Sequence, residues 1–191
     1  FVAFNTAFAV GGAFVFCATS FERQRVLYNQ AAGSGGGFAS CDGTLLGNTI
    51  SSNSASNHGG GIFDFGSGSI ENNFILANAS GGNGGGVHSV GGDFFNNIVV
   101  NNQAEGDGGG LSAVTANVIN NTIWANTAVG NGGGIASSLT ATITNCIVRE
   151  NVSDNMTLIE QQLFDSAIPT FSALIEDDLG ESTNIIDDPL L

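Results

Sequence analysis

The sequence has almost no basic side chains. Its 191 residues contain no lysine and only three arginines, Arg23, Arg25 and Arg149, against 17 acidic residues, so the formal net charge is −14. Proteins that bind nucleic acid or anionic lipid neutralise phosphates with clustered lysine and arginine, and a chain of this charge is repelled by such surfaces. We therefore expect no nucleic acid among its partners.

The sequence also lacks a long apolar run. No stretch approaches the roughly 18 consecutive apolar residues that a membrane helix needs, so we expect no membrane insertion. What the chain has instead is 29 glycines, many asparagines and a hydrophobic fraction of 42%. That fraction is sufficient for one core in a chain of this length.

Glycine-rich triplets recur along the chain, and an apolar residue follows each of them. These apolar anchors are separated by 24, 24, 25, 24 and 24 residues: Phe14, Phe38, Ile62, Val87, Leu111 and Ile135. A second column, apolar-x-x-Asn, has the same period at Val2/Asn5, Val26/Asn29, Ile50/Asn53, Ile75/Asn78, Val99/Asn102, Ile123/Asn126 and Val148/Asn151. A third apolar column comprises Phe21, Leu45, Ile70, Phe94, Val118 and Ile143.

Each apolar column lies in a short run rich in Ile, Val, Phe and Thr, which is typical of a strand. A unit of 24 residues cannot bury its own apolar face, whereas stacked units share one continuous core. The repeat therefore predicts an all-β right-handed parallel β-helix with about seven coils and three strands per coil. We assign residues 1–159 to the solenoid and residues 160–191 to an acidic C-terminal tail. Small residues two positions after the anchors, such as Ser40 and Ser89, are expected to point inward.

Two repeated motifs resemble those of a known family. The segments Gly59-Gly-Gly-Ile62 and Ile50-Ser-Ser-Asn-Ser-Ala55 are similar to the repeats of polymorphic outer-membrane proteins and related bacterial surface β-helices. The resemblance covers about residues 1–159 and implies a β-helix at the cell surface or in the extracellular space. It implies no catalytic residue, because the family's motif residues are architectural.

The asparagine column is interpreted as a structural ladder. Stacked amides can bond to one another and to the turn backbone, as we expect for Asn29, Asn53, Asn78, Asn102 and Asn126.

Two cysteines also occupy equivalent positions in neighbouring repeats. Cys17 and Cys41 each lie three residues after an anchor, so stacking places them about 4.8 Å apart, within the Cα range of a disulfide. The pair is either a disulfide, which would indicate an oxidising compartment, or two stacked free thiols. Cys146 occupies an asparagine column and has no partner cysteine.

Two apolar surfaces remain unexplained by a single core. The first coil is rich in phenylalanine, and Phe1, Phe4, Phe8 and Phe14 are candidates for end-to-end self-association through an uncapped coil. A lateral stripe that includes Leu76, Val100 and Trp124 is predicted to face outward. Either the acidic tail or a lateral protein partner is expected to cover this stripe.

No arrangement typical of an active site is apparent. A polysaccharide lyase would need clustered carboxylates for Ca²⁺ and a basic side chain. The acidic residues near the anchors are scattered over different columns: Asp42, Asp64, Asp93, Glu105 and Asp107. His58 and His88 are interpreted as separate surface residues. We therefore expect no enzyme activity, no catalytic residue, no cofactor and no metal site.

The leading hypothesis is an extracellular or cell-surface structural or adhesive solenoid that associates end to end into a fibre or stalk. Its expected partner is a second copy of itself or another surface protein. The alternative is a polysaccharide-binding or polysaccharide-active β-helix, with glycans as partners, which an exposed Trp124 would favour.

Overall fold

The computed structural model describes residues 1–115, 117–138, 140–154, 163–166 and 173–175. Every regular element among them is a β-strand, and all pairings between strands are parallel. Each inner strand of a sheet pairs with the strand one repeat earlier and with the strand one repeat later, so the chain forms a β-solenoid of about six turns with roughly 24 residues per turn. The prediction of a parallel β-helix is confirmed.

The strands form four sheets, which we number in the order in which a coil meets them after its glycine triplet. Sheet I contains Phe14–Val15, Phe38–Cys41, Ile62–Phe65, Val87–Val90, Leu111–Val114, Ile135–Ser138 and Leu163–Ser166. Sheet II contains Phe21–Glu22, Thr44–Leu46, Ser69–Glu71, Phe94–Phe95, Asn117–Ile119 and Thr142–Thr144. Sheet III contains Val2–Ala3, Arg25–Leu27, Thr49–Ser51, Phe74–Leu76, Ile98–Val100, Thr122–Trp124, Ile147–Arg149 and Ala173–Ile175.

The structure has four strands per coil, so the prediction of three strands per coil is wrong, and sheet IV is the additional sheet. It consists of two-residue strands that follow the asparagine column: Thr6–Ala7, Gln30–Ala31, Ser54–Ala55, Ala79–Ser80, Gln103–Ala104, Thr127–Ala128 and Val152–Ser153. The inward residue of each strand is alanine or serine, because the coil is narrow beside the asparagine ladder. No large apolar residue therefore marks these strands in the sequence.

The core is a stack of apolar rows. After the first coil, the third-column residues are fully buried in sheet II, as in Ile70, and the apolar residues three positions before the ladder asparagines are fully buried in sheet III, as in Ile75. Sheet I contributes the anchors and also the residues three positions later, as in Ile62 and Phe65. The residue two positions after the anchor has positive φ, as in Asp64 with a φ of 53°. This conformation interrupts the inward–outward alternation of side chains along the strand. The expectation that Ser40 and Ser89 point inward is therefore wrong.

Two corners are turns built on a single residue with positive φ. At the corner between sheets II and III these residues are Arg23, Gly47, Asn72, Asn96, Asn120 and Asn145. At the corner between sheets III and IV they are Phe4, Tyr28, Ser52, Ala77, Asn101, Ala125 and Glu150. One left-handed residue redirects the strand without a loop. These corners consequently have the same length in every coil.

The corner between sheets I and II is different, because coil length varies there. Phe38 pairs with Ile62, 24 positions later, whereas Leu45 in the same coil pairs with Ile70, 25 positions later. The extra residue lies in the segment 66–68. The same change recurs where Leu111 pairs with Ile135 but Val118 pairs with Ile143. Both one-residue insertions leave the register of the four sheets intact.

Two described segments of the predicted tail extend the solenoid at its end. Leu163–Ser166 pairs with Ile135–Ser138, and Ala173–Ile175 pairs with Ile147–Arg149. These segments continue sheets I and III rather than cross the side of the rod. The remainder of residues 160–191 lies outside the described residues, and for it a lateral position stays a prediction.

Candidate functional site

The asparagine column forms a continuous ladder inside the corner between sheets III and IV. The Nδ2 of Asn53 donates to the Oδ1 of Asn78 at 3.0 Å and to the carbonyl of Val26 at 2.9 Å. The Oδ1 of Asn78 also accepts the backbone N–H of Asn53 at 3.0 Å. The same pattern links Asn5, Asn29, Asn53, Asn78, Asn102, Asn126 and Asn151. Every amide in the ladder points the same way along the rod.

A second ladder lies inside the corner between sheets II and III. It joins Asn48, Asn73, Asn97 and Asn121 through Nδ2-to-Oδ1 bonds of 3.0 to 3.1 Å. Cys146 takes the next place, where its sulfur accepts the backbone N–H of Asn121 and its thiol donates to the carbonyl of Val118. Burial raises the pKa of Cys146. A neutral thiol thus continues the ladder as both acceptor and donor.

The two candidate disulfide residues occupy equivalent positions in neighbouring coils. The backbone N–H of Cys17 donates to the Sγ of Cys41 at 3.4 Å, and both thiols are free. Burial raises the pKa of Cys41 to about 12, so its thiolate is scarce at neutral pH and thiol–disulfide exchange is slow there. A bridge between the two cysteines stays a prediction.

The first coil presents most of its phenylalanines to solvent. Phe8 is 96% exposed, and Phe1, Phe4 and Phe16 are each more than 70% exposed. Phe14 is different, because its ring contacts Phe21 and Phe38 with centroid distances of 4.6 and 4.9 Å. Phe14 therefore ends the apolar core, while the other three candidates lie on the surface of the coil.

The outer surface of sheet III is apolar along most of its length. Trp124 is 42% exposed, and Leu76 and Val100 beside it are half-buried. A parallel row of outward residues includes three exposed apolar side chains, Phe74, Ile98 and Ile147. The predicted lateral stripe thus has two rows of side chains.

Trp124 also belongs to a polar cluster. Its indole N–H donates to the Glu150 carboxylate, which also accepts a bond from the Arg149 guanidinium. Both donors, the indole first, hold the pKa of Glu150 below its usual value.

The two histidines lie together, which the sequence interpretation missed. The rings of His58 and His88 stack with centroids 4.8 Å apart, and Phe63 stacks on His88 at 5.8 Å. His58 lies at the corner between sheets IV and I, where its Nδ1 accepts the backbone N–H of Asn83 at 2.9 Å. This corner folds back over sheet I, so residues 30 positions apart meet. The positive φ of Gly59 and Gly84 is the local signal for that fold-back.

The stacked histidines predict a pH-dependent stability. Burial, together with the nearby His58, lowers the pKa of His88 to about 4, whereas an unfolded histidine titrates near 6.5. The unfolded chain therefore takes up a proton that the folded chain does not, and stability falls as the pH drops from about 6.5 to about 4. We expect wild type to lose about 1 to 2 kcal/mol over this range relative to His88→Phe. Urea unfolding at pH 7 and pH 4.5 measures the difference, and parallel curves for the two proteins would contradict it.

Other chemistry-bearing side chains do not converge. Asp64 is exposed and accepts a bond from the Ser40 hydroxyl at 3.1 Å. In the part of the chain that the structure describes, no three histidine, cysteine or acidic residues lie close enough to hold a metal ion. The described residues also include no helix long and apolar enough to cross a membrane.

Comparison of the chain with models of protein families, with curated proteins and with solved structures finds no match. The similarity of the repeats to those of polymorphic outer-membrane proteins therefore stays a prediction from the motifs Gly59-Gly-Gly-Ile62 and Ile50-Ser-Ser-Asn-Ser-Ala55.

Proposed function

We propose that the chain is a non-enzymatic extracellular or cell-surface solenoid with a structural or adhesive role, and that it associates end to end through its first coil. The observation that carries the proposal is the exposure of Phe1, Phe4, Phe8 and Phe16 on a single coil. Exposed aromatic side chains gathered on one coil favour association, because only contact with another macromolecule removes them from water.

The strand edges support the same proposal. The first-coil strands Val2–Ala3, Thr6–Ala7, Phe14–Val15 and Phe21–Glu22 are each an edge strand of their sheet. Their N–H and C=O groups can accept the strands of another solenoid coil. The ladder is also open there, since the Nδ2 of Asn5 donates onward to Asn29 and its own Oδ1 faces the coil edge. A second solenoid with a donor amide at that place would continue the ladder.

Electron microscopy of the purified chain tests the proposal. We expect rods longer than a single solenoid, whose seven or eight stacked strands extend about 34 Å. Phe14→Asp should shorten them to single units, because the next anchor of its column, Phe38, is fully buried, and a carboxylate buried between stacked coils is strongly disfavoured. Val129→Asp is the matched control, since Val129 is exposed to 42% but lies in a middle coil. Single dispersed particles of wild type at high concentration would overturn the proposal.

A second candidate function is binding of a neutral polysaccharide, which Trp124 favours. An exposed indole beside a bonded carboxylate and guanidinium can stack on a sugar ring while polar groups reach its hydroxyls. Trp124 is the only tryptophan of the chain, so its fluorescence reports binding directly. A change in Trp124 fluorescence on addition of neutral glycans would support this function, and no change across a glycan panel would reject it.

A further inference from the structure

The charged side chains are segregated around the rod. All three arginines lie on sheet III or at its corner with sheet II: Arg23, Arg25 and Arg149. The acidic residues in the described range 1–154 lie elsewhere, in sheets I and II or at the corners next to sheet I, with Glu150 as the exception. Glu150 is itself bonded to Arg149. Within this range, sheet III therefore presents an outer surface with no free carboxylate on a chain whose net charge is −14.

The outer surface of sheet III, which has no free carboxylate in this range, is also apolar. Across the strands from Arg25–Leu27 to Ile147–Arg149 the outward residues are apolar, hydroxyl-bearing or arginine, and Phe74, Ile98, Trp124 and Ile147 are each at least 36% exposed. Contiguous apolar surfaces of this kind mark contacts with another macromolecule. We call the outer surface of sheet III, together with its two corners, the sheet III face.

We propose that the sheet III face is the contact between two copies of this chain lying side by side. Two copies with net charge −14 repel each other over most approaches. The sheet III face is where they can meet with apolar side chains in contact and without carboxylates opposing each other. A two-fold contact places the same residues on both sides, so the apolar rows of one copy cover those of the other.

The size of the face fits such a contact. Sheet III has eight strands, which at about 4.8 Å per strand give a length of about 34 Å. The residues from one corner to the next span about 15 Å, so the projected area is about 500 Å². Protruding side chains raise the accessible area above this projection. The face therefore reaches the roughly 600 Å² per partner of the smaller stable interfaces.

Ile98→Asp tests the contact, because Ile98 lies near the middle of the face. In the Phe14→Asp background, in which end-to-end association is expected to be lost, we expect the chain to sediment as a dimer whose population rises with concentration. Adding Ile98→Asp should weaken this dimer at least tenfold, since each interface would bury two carboxylates. Added salt should strengthen the Phe14→Asp dimer, because it screens the repulsion between the two acidic copies. Acrylamide quenching of Trp124 should fall as the Phe14→Asp chain is concentrated and stay constant once Ile98→Asp is added.

Control variants separate this contact from end-to-end association and from misfolding. Val129→Asp should leave the dimer intact, because Val129 is equally exposed but lies at the corner between sheets IV and I. Phe8→Asp should also leave it intact. Thr122→Glu, which replaces a polar residue on the face, should weaken the dimer even if Ile98→Asp fails to fold. A Phe14→Asp chain that is monomeric at every concentration, or a dimer unaffected by Thr122→Glu, would overturn the proposal.

Discussion

Replacing Gly85 with alanine is expected to destabilise the solenoid by at least about 3 kcal/mol, near or above the upper end of typical overpacking costs. A Cβ at Gly85 would lie 2.4 Å from the carbonyl carbon and oxygen of Gln103 and 2.5 Å from the carbonyl oxygen of Gly109. All of these atoms belong to the backbone of the next coil. The only relief is to move two coils apart, which would stretch the hydrogen bonds of four sheets.

Gly47→Asn is the matched control for Gly85→Ala. Gly47 has a φ of +65°, and the atom nearest to a Cβ at this position would be the Arg23 side chain at 3.7 Å. Asparagine already occupies the equivalent corner at Asn72, Asn96 and Asn120, and it tolerates positive φ. We expect a change within about 0.5 kcal/mol. Urea unfolding followed by circular dichroism measures both variants. Equal midpoints for Gly85→Ala and wild type would show that coil spacing is not fixed by this contact.

Asn78→Ala is expected to cost about 4 kcal/mol, because it leaves several buried polar groups without partners at about 1 to 3 kcal/mol each. The carbonyl of Ile50 loses the Nδ2 donor at 2.9 Å. The backbone N–H and the Nδ2 of Asn53 lose the Oδ1 acceptor, each at 3.0 Å. These three groups lie in a corner that bulk solvent does not reach in the folded chain, since Ile50 is fully buried and Asn53 and Asn78 are about 1% exposed.

Two further substitutions distinguish the ladder from asparagine content in general. Asn101→Gly changes an exposed neighbour with a φ of 56°, and it should alter stability by less than about 0.5 kcal/mol. Asn78→Asp keeps the acceptor Oδ1, but it replaces the Nδ2 donor with a second oxygen and adds a buried charge. Its stability relative to wild type should improve as the pH falls and the carboxyl gains a proton that it can donate. An Asn78→Asp variant equally unstable at pH 7 and pH 4 would contradict this account.

The period and stacking of the coils follow from positions at which the architecture accepts only one type of residue. Gly85 must lack a side chain because the next coil lies against it, and Asn78 must have both an acceptor and a donor because the ladder needs both. Such requirements repeat in every coil, so the sequence shows them as columns. The parallel β-helix could therefore be predicted from the sequence, and the prediction is confirmed.

Features that depend on small residues or on contacts between corners could not be predicted. Sheet IV was missed because its inward residues, such as Ala31 and Ala104, are small and common. The contact of His58 with His88 was missed because it joins a corner of one coil to a strand of the next coil. The positive φ of Asp64 was missed because strand alternation predicts an inward side chain at that position. In each case the information lies in backbone conformation rather than in residue type.

The varying corner between sheets I and II has a further consequence. Within the described range 1–154 the other corners have the same number of residues in every coil, whereas this corner accepts one extra residue twice without disturbing the register. Loop closure costs only about 0.6 kcal/mol for each doubling of loop length. The segment 66–68 is thus a permissive point at which this rod could display a longer peptide while the stack beneath it stays unchanged.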